Sequence, residues 1–113
     1  MSRGAQGLRA WLIQRVTAVY LGLFTLYLLW LFLVSPPSGY IAWSAWAGHP
    51  LVGIGLSLYV IAVLLHAWVG MRDVLIDYVH PVGLRLTLLG LMAFGLLGCG
   101  LWALRALLLN TTL

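Results

Sequence analysis

From Val16 to Met71 the chain runs for 56 consecutive residues without an Asp, Glu, Lys or Arg. No soluble fold keeps its surface hydrated over such a length, because about a quarter of the residues of a soluble domain are charged. Across all 113 residues, 64% are hydrophobic and 7% charged. The sequence therefore predicts an all-α integral membrane protein, a single membrane domain over residues 1–113 with no room for a separate soluble one.

Three uncharged runs are long enough to span a hydrocarbon core, which takes about 20 residues. The first, Val16–Val34, follows an arginine-bearing segment (Arg3, Arg9, Arg15) that contains no acid. Read as a secretory signal, it would have an apolar core of only about 7–15 residues before a small-residue cleavage point. This run has 19, which favours a spanning helix. The second is Leu51–Met71, and the third lies between Arg85 and Arg105. The expected spans are approximately 12–34, 51–78 and 84–107, the second continuing about two turns past the first returning charge at Arg72.

Between the first two spans, Ser35-Pro36-Pro37-Ser38-Gly39 cannot continue a helix. Tyr40, Trp43 and Trp46 follow, and aromatics with a polar tip favour the headgroup level. This connection is expected on the membrane surface, ending at His49-Pro50. Pro81 and Gly83 break the chain again before the third span. Ala18 with Gly22, Gly53 with Ser57, and Gly95 with Cys99 are small-residue pairs at the spacing that lets helix backbones approach in lipid.

The charge of +4 comes from six arginines and two aspartates, with no lysine or glutamate. They punctuate apolar runs instead of clustering on a polar face, so they predict topology and no nucleic-acid partner. The N-terminal segment has three arginines and the 72–85 connection two, whereas the 35–50 connection has none. Arginine bias then puts the N-terminus and the second connection in the cytoplasm and the C-terminus outside. The single cysteine, Cys99, excludes an intrachain disulfide and an iron–sulfur cluster held by this chain alone.

His66 lies well inside the second run, and an ionisable group there is a functional candidate. A neutral imidazole ligates haem iron well. Gly70, one turn on, shares its helix face and leaves space for a flat macrocycle. The alternative is a histidine bonded to the backbone of a neighbouring helix. His80 is about 21 Å further along if helical, and His49 precedes the span, so a second axial ligand must come from another chain.

Asp73 and Asp77 share a face near a helix C-terminus, where the helix dipole disfavours anions. Either Arg72 or Arg85 compensates them, they serve a function, or they form a solvated acidic turn. Tyr78 is either an interfacial belt tyrosine or a hydrogen-bond donor to a quinone carbonyl, with Asp77 placed to pass protons. Arg15 suits both a topology anchor and a carboxylate partner such as a haem propionate.

The stretch His66-Ala67-Trp68-Val69-Gly70, followed by Val74, Asp77-Tyr78-Val79 and Pro81, resembles the signature of the smaller hydrophobic membrane anchor subunit of succinate dehydrogenase. Arg15-Val16-Thr17-Ala18 resembles that family's first-helix motif. The resemblance covers the whole chain in length, span number and orientation. It implies a non-catalytic subunit of respiratory complex II in a bacterial inner membrane. Its partners would be a larger cytochrome b anchor subunit, with which it forms a haem-binding bundle, an iron–sulfur subunit and a flavoprotein subunit. It further implies that His66 is one axial ligand of haem b, that Arg15 lies near the propionates, that Tyr78 hydrogen-bonds ubiquinone, and that Asp77 supports the quinone site. It assigns nothing to Arg72, Asp73 or His80. The competing readings are a small cytochrome b-like subunit and a structural assembly subunit of another respiratory complex.

Overall fold

The computed structural model describes residues 3–110. Among them are four helices, α1 (Arg3–Val34), α2 (Gly39–Gly48), α3 (Pro50–Tyr78) and α4 (Val82–Leu109). Three are long and apolar enough to cross a membrane, and each expected span lies within one of them. At 1.5 Å per residue they run about 42–48 Å, well past a hydrocarbon core of about 30 Å. Their ends therefore stand in the headgroup region or in water. Helix α1 accordingly begins at Arg3 instead of near residue 12, because the arginine-bearing segment stays helical outside the hydrocarbon.

The breaks fall where the backbone chemistry requires them. The Ser35 amide closes the last turn of α1 on the Leu31 carbonyl (3.0 Å) before Pro36 and Pro37 remove the next donors. Gly39 then takes φ +80°, a left-handed conformation that costs glycine nothing. Beyond it, residues 39–48 of the connection form α2. His49 caps α3, its Nδ1 accepting the Leu51 amide at 3.2 Å. Pro50 at the first helical position has no amide to leave unsatisfied. At the other end, Val79 closes on Leu75 (3.0 Å) before Pro81.

Helix α3 is the central element and touches each of the other three. Cross-helix pairs fix the directions. Thr17 meets His66 and Thr25 meets Tyr59, so α1 and α3 are antiparallel. Arg85 reaches Val79, and Gly100 lies against Leu64, so α3 and α4 are antiparallel too. Helix α2 is held at the opposite end from the Arg85 connection. Ser44 Oγ donates to Asn110 Oδ1 (2.5 Å), the Asn110 amide donates to the Ser44 carbonyl (3.0 Å), and Trp46 Nε1 donates to Tyr27 (3.2 Å).

The chain has little interior of its own. Among the described residues, the buried hydrophobic side chains are Leu31, Ala62 and Val69, and the buried polar one is Thr17. Close approach is carried by two glycines of the helix interfaces. A Cβ at Gly100 would collide with Leu64, and one at Gly55 would lie 2.8 Å from Phe24 Cε2. Of the small-residue pairs marked in the sequence, Gly95 and Gly22 have nothing within 4 Å of a built Cβ. Gly53 faces the Ala47 carbonyl of α2 at 3.5 Å, so the glycines of these pairs do not meet another long helix among the described residues.

Candidate functional site

A groove of about 570 Å³ opens between α1 and α3. Helix α1 lines it with Gly7, Ala10, Trp11, Gln14, Arg15 and Ala18; helix α3 supplies His66, Val69, Arg72 and Asp73. Both sets recur at three- and four-residue intervals, because such residues share one helix face. The groove thus grades from an imidazole among apolar side chains to guanidinium and carboxylate groups. By helix rise, His66 lies about 9 Å below Arg72. A second depression of about 310 Å³ runs along α3 from His66 past Gly70 and Val74, with Gln14 again on its wall.

His66 is half-buried, with Nδ1 3.1 Å from Thr17 Oγ1. Its other nitrogen, Nε2, meets no hydrogen-bonding atom among the described residues. Among the described residues, the partner of His66 is a side chain of α1. Thr17 also contacts its own helix, at 2.7 Å from the Ile13 carbonyl and 3.2 Å from that of Gln14. Gln14 Oε1 is a buried acceptor without a partner among the described residues. A Cβ at Gly70 would come 3.3 Å from Gln14 Nε2. The missing side chain at Gly70 thus gives room to Gln14 as well as to the depression beside it.

Arg15 is exposed, and its guanidinium stands 5.7 Å from the centre of the Trp11 ring, within the range of a cation–π contact. Both residues line the groove. Arg72 donates through Nε and a terminal nitrogen to one oxygen of Asp73, at 3.2 and 3.0 Å. Exposed pairs of this kind contribute little stability, about 0–1 kcal/mol. Their effect is to hold the Arg72 guanidinium at the groove.

These residues fall within a stretch that comparison with known proteins identifies. Residues 2–99 match the family model of the succinate dehydrogenase/fumarate reductase transmembrane subunit. The chain belongs to this family. It is 33% identical over 102 residues to a succinate dehydrogenase hydrophobic membrane anchor subunit of Coxiella burnetii, an alignment covering 90% of this chain and 89% of that one. It is 39% identical over 85 residues to the subunit of the same name in Rickettsia bellii, covering 74% of this chain and 66% of the other.

The end of α3 in this anchor-family chain carries the remaining candidates. Asp77 and Tyr78 are both exposed, Tyr78 at 77% of its surface. Neither lines the groove, so this chain supplies at most one wall of a site there. The dipole of α3 is met by Arg85 of α4 and not by a pairing with Asp77. Arg85 Nε donates to the Val79 carbonyl (2.9 Å) and a terminal nitrogen to that of Ile76 (3.1 Å). Among the described residues, Asp77 has no ion pair. His49 is spent on capping α3, about 25 Å along that helix from His66.

His66 and Arg15, both candidates from the sequence, line one groove; the sequence singled out neither Thr17 nor Gln14 as a site residue. Thr17 appeared there only inside the Arg15–Ala18 motif. The signal that could have raised it is a hydroxyl two residues beyond Arg15, at a depth where few polar groups occur.

Proposed function

We propose that this chain is the smaller of two membrane anchors in a bacterial succinate:quinone oxidoreductase, contributing one side of a haem b site and part of a ubiquinone site. The N-terminus and the α3–α4 connection face the cytoplasm and the C-terminus faces the periplasm, in keeping with the arginine bias. A larger cytochrome b anchor subunit completes the groove. The iron–sulfur and flavoprotein subunits dock on the cytoplasmic side, and the oxidation of succinate belongs to them.

The observation that carries the haem reading is His66, an imidazole within an apolar span with one nitrogen tied to α1 and the other without a partner among the described residues. That donor set suits iron ligation, and membrane-embedded ionisable side chains are retained mainly for such work. Arg15 is placed to pair a propionate, which guanidinium binds well. Arg72 lines the same groove, its charge balanced by Asp73. Gly70 leaves the α3 surface low beside His66. When bound, haem b supplies a one-electron centre.

About 18 Å further along α3, Tyr78 donates its hydroxyl hydrogen to a quinone carbonyl oxygen. The Asp77 carboxylate next to it, open to water, collects protons for the reduced product. Two electrons and two protons are needed per quinone, and an exposed carboxylate at the cytoplasmic end is suitably placed for the second requirement.

The test is the purified complex carrying His66→Ala. Haem absorbance is lost or perturbed, while succinate oxidation with a soluble dye as acceptor stays near the wild-type rate. Unchanged haem would overturn the ligand assignment. Lost dye activity with haem intact would overturn the division of labour.

A further inference from the structure

We propose that Thr17 is a positioning residue for His66: its hydroxyl fixes which imidazole nitrogen carries the proton and so leaves Nε2 as the ligating atom. The inference rests on the reading of His66 as a haem ligand.

Thr17 Oγ1 stands 2.7 Å from the Ile13 carbonyl oxygen, 3.2 Å from that of Gln14, and 3.1 Å from His66 Nδ1. A hydroxyl has one hydrogen to donate and two lone pairs to accept with. Carbonyl oxygens can only accept. If Thr17 gave its hydrogen to Nδ1, its lone pairs would face a carbonyl oxygen at 2.7 Å with nothing between them. The hydrogen therefore goes to Ile13, and toward His66 the threonine is an acceptor. Nδ1 then carries the imidazole hydrogen, and Nε2 keeps a free lone pair.

Burial makes this arrangement binding. Thr17 is 7% exposed, so no bulk water competes for its oxygen. Metal-bound histidines characteristically donate their second ring hydrogen to an oxygen, which fixes the tautomer and ring orientation and raises ligand basicity. Here that oxygen is itself backed by the Ile13 carbonyl, so the three groups form a relay across the α1–α3 interface: Nδ1–H to Oγ1, and Oγ1–H to backbone. Chains of this kind polarise one another. A more electron-donating imidazole favours oxidised iron.

The alternative is that Thr17 only satisfies its own helix, an ordinary role for threonine. Redox titration of the haem in the purified wild-type, Thr17→Val and Thr17→Ser complexes separates the two. Val keeps the shape and loses the oxygen; Ser keeps the oxygen. Thr17→Val is expected to raise the haem midpoint potential and to lower haem affinity about 10–100-fold, read as transfer to apomyoglobin. Thr17→Ser returns both toward wild type. Wild-type potential and affinity in Thr17→Val would overturn the inference while leaving the ligand reading intact, provided His66→Ala still loses haem. Unchanged haem in His66→Ala would overturn both. If Thr17→Val does not assemble, Thr17→Ala against Thr17→Ser makes the same comparison: a shift in alanine that serine reverses supports the inference, and equal values refute it.

Discussion

The groove depends on how closely α1 and α3 approach, and Gly55 sets that approach. A Cβ there would lie 2.8 Å from Phe24 Cε2, 3.4 Å from Cζ and 3.8 Å from Cδ2. Carbon atoms pack best at about 3.5–4.0 Å, so the nearest contact falls short by roughly 0.7–1.2 Å. The ring cannot easily swing away. It packs among Tyr20, Tyr27 and Tyr59, stacked on the first, edge-on to the second and tilted against the third, with centroids 5.8, 5.5 and 5.2 Å distant. Overpacking of this size costs about 1–3 kcal/mol. Alanine returns up to about 1 kcal/mol over glycine in helix propensity. Gly55→Ala is therefore expected to destabilise the complex by about 0–2 kcal/mol net of that gain. The sharper readout is a cycle with Phe24→Ala, which removes every ring atom in the clash and cancels the propensity term. The double variant should be more stable than the sum of the singles by about 1–3 kcal/mol, measured as thermal or denaturant stability of the purified complex. Additivity within about 0.5 kcal/mol would refute the reasoning.

Three further outcomes are expected. Tyr78→Phe slows quinone reduction at limiting quinone without altering succinate oxidation by a soluble dye, since it removes a hydrogen-bond donor and not the chemistry upstream; equal turnover would count against the quinone assignment. Arg85→Ala frees the Val79 and Ile76 carbonyls and lowers stability by about 1 kcal/mol, and Arg85→Lys recovers only part because an ammonium lacks the two-pronged reach. Asn110→Leu unpairs Ser44 on α2 and costs about 1–2 kcal/mol, seen as faster proteolysis at the 35–38 connection.

The spans were legible because a hydrocarbon core demands a long uncharged run, and the chain supplies three. The continuation of α3 to Tyr78 was legible too, but the outer turns of α1 were not, since helix in headgroups and water carries no such demand. Helix α2 was hidden because Tyr40, Trp43 and Trp46 indicate depth and say little about backbone conformation. His66 stood out because an imidazole in lipid is costly. Thr17 did not, because a threonine can satisfy itself on its own helix, and its meeting with His66 depends on the register between α1 and α3. That register is set through the 35–49 connection and the Gly55–Phe24 approach, which no single-helix pattern encodes. The small-residue pairs mark faces but not their neighbours: within this chain the glycine that meets α3 from α4 is Gly100.

The most direct measurement is an experimental density map of the assembled complex in a lipid nanodisc, read at the α1–α3 groove. The account expects a porphyrin beside Gly70, its iron bonded to His66 Nε2, and Thr17 within hydrogen-bond distance of Nδ1. A groove filled by lipid acyl chains, or an iron held without His66, would contradict it.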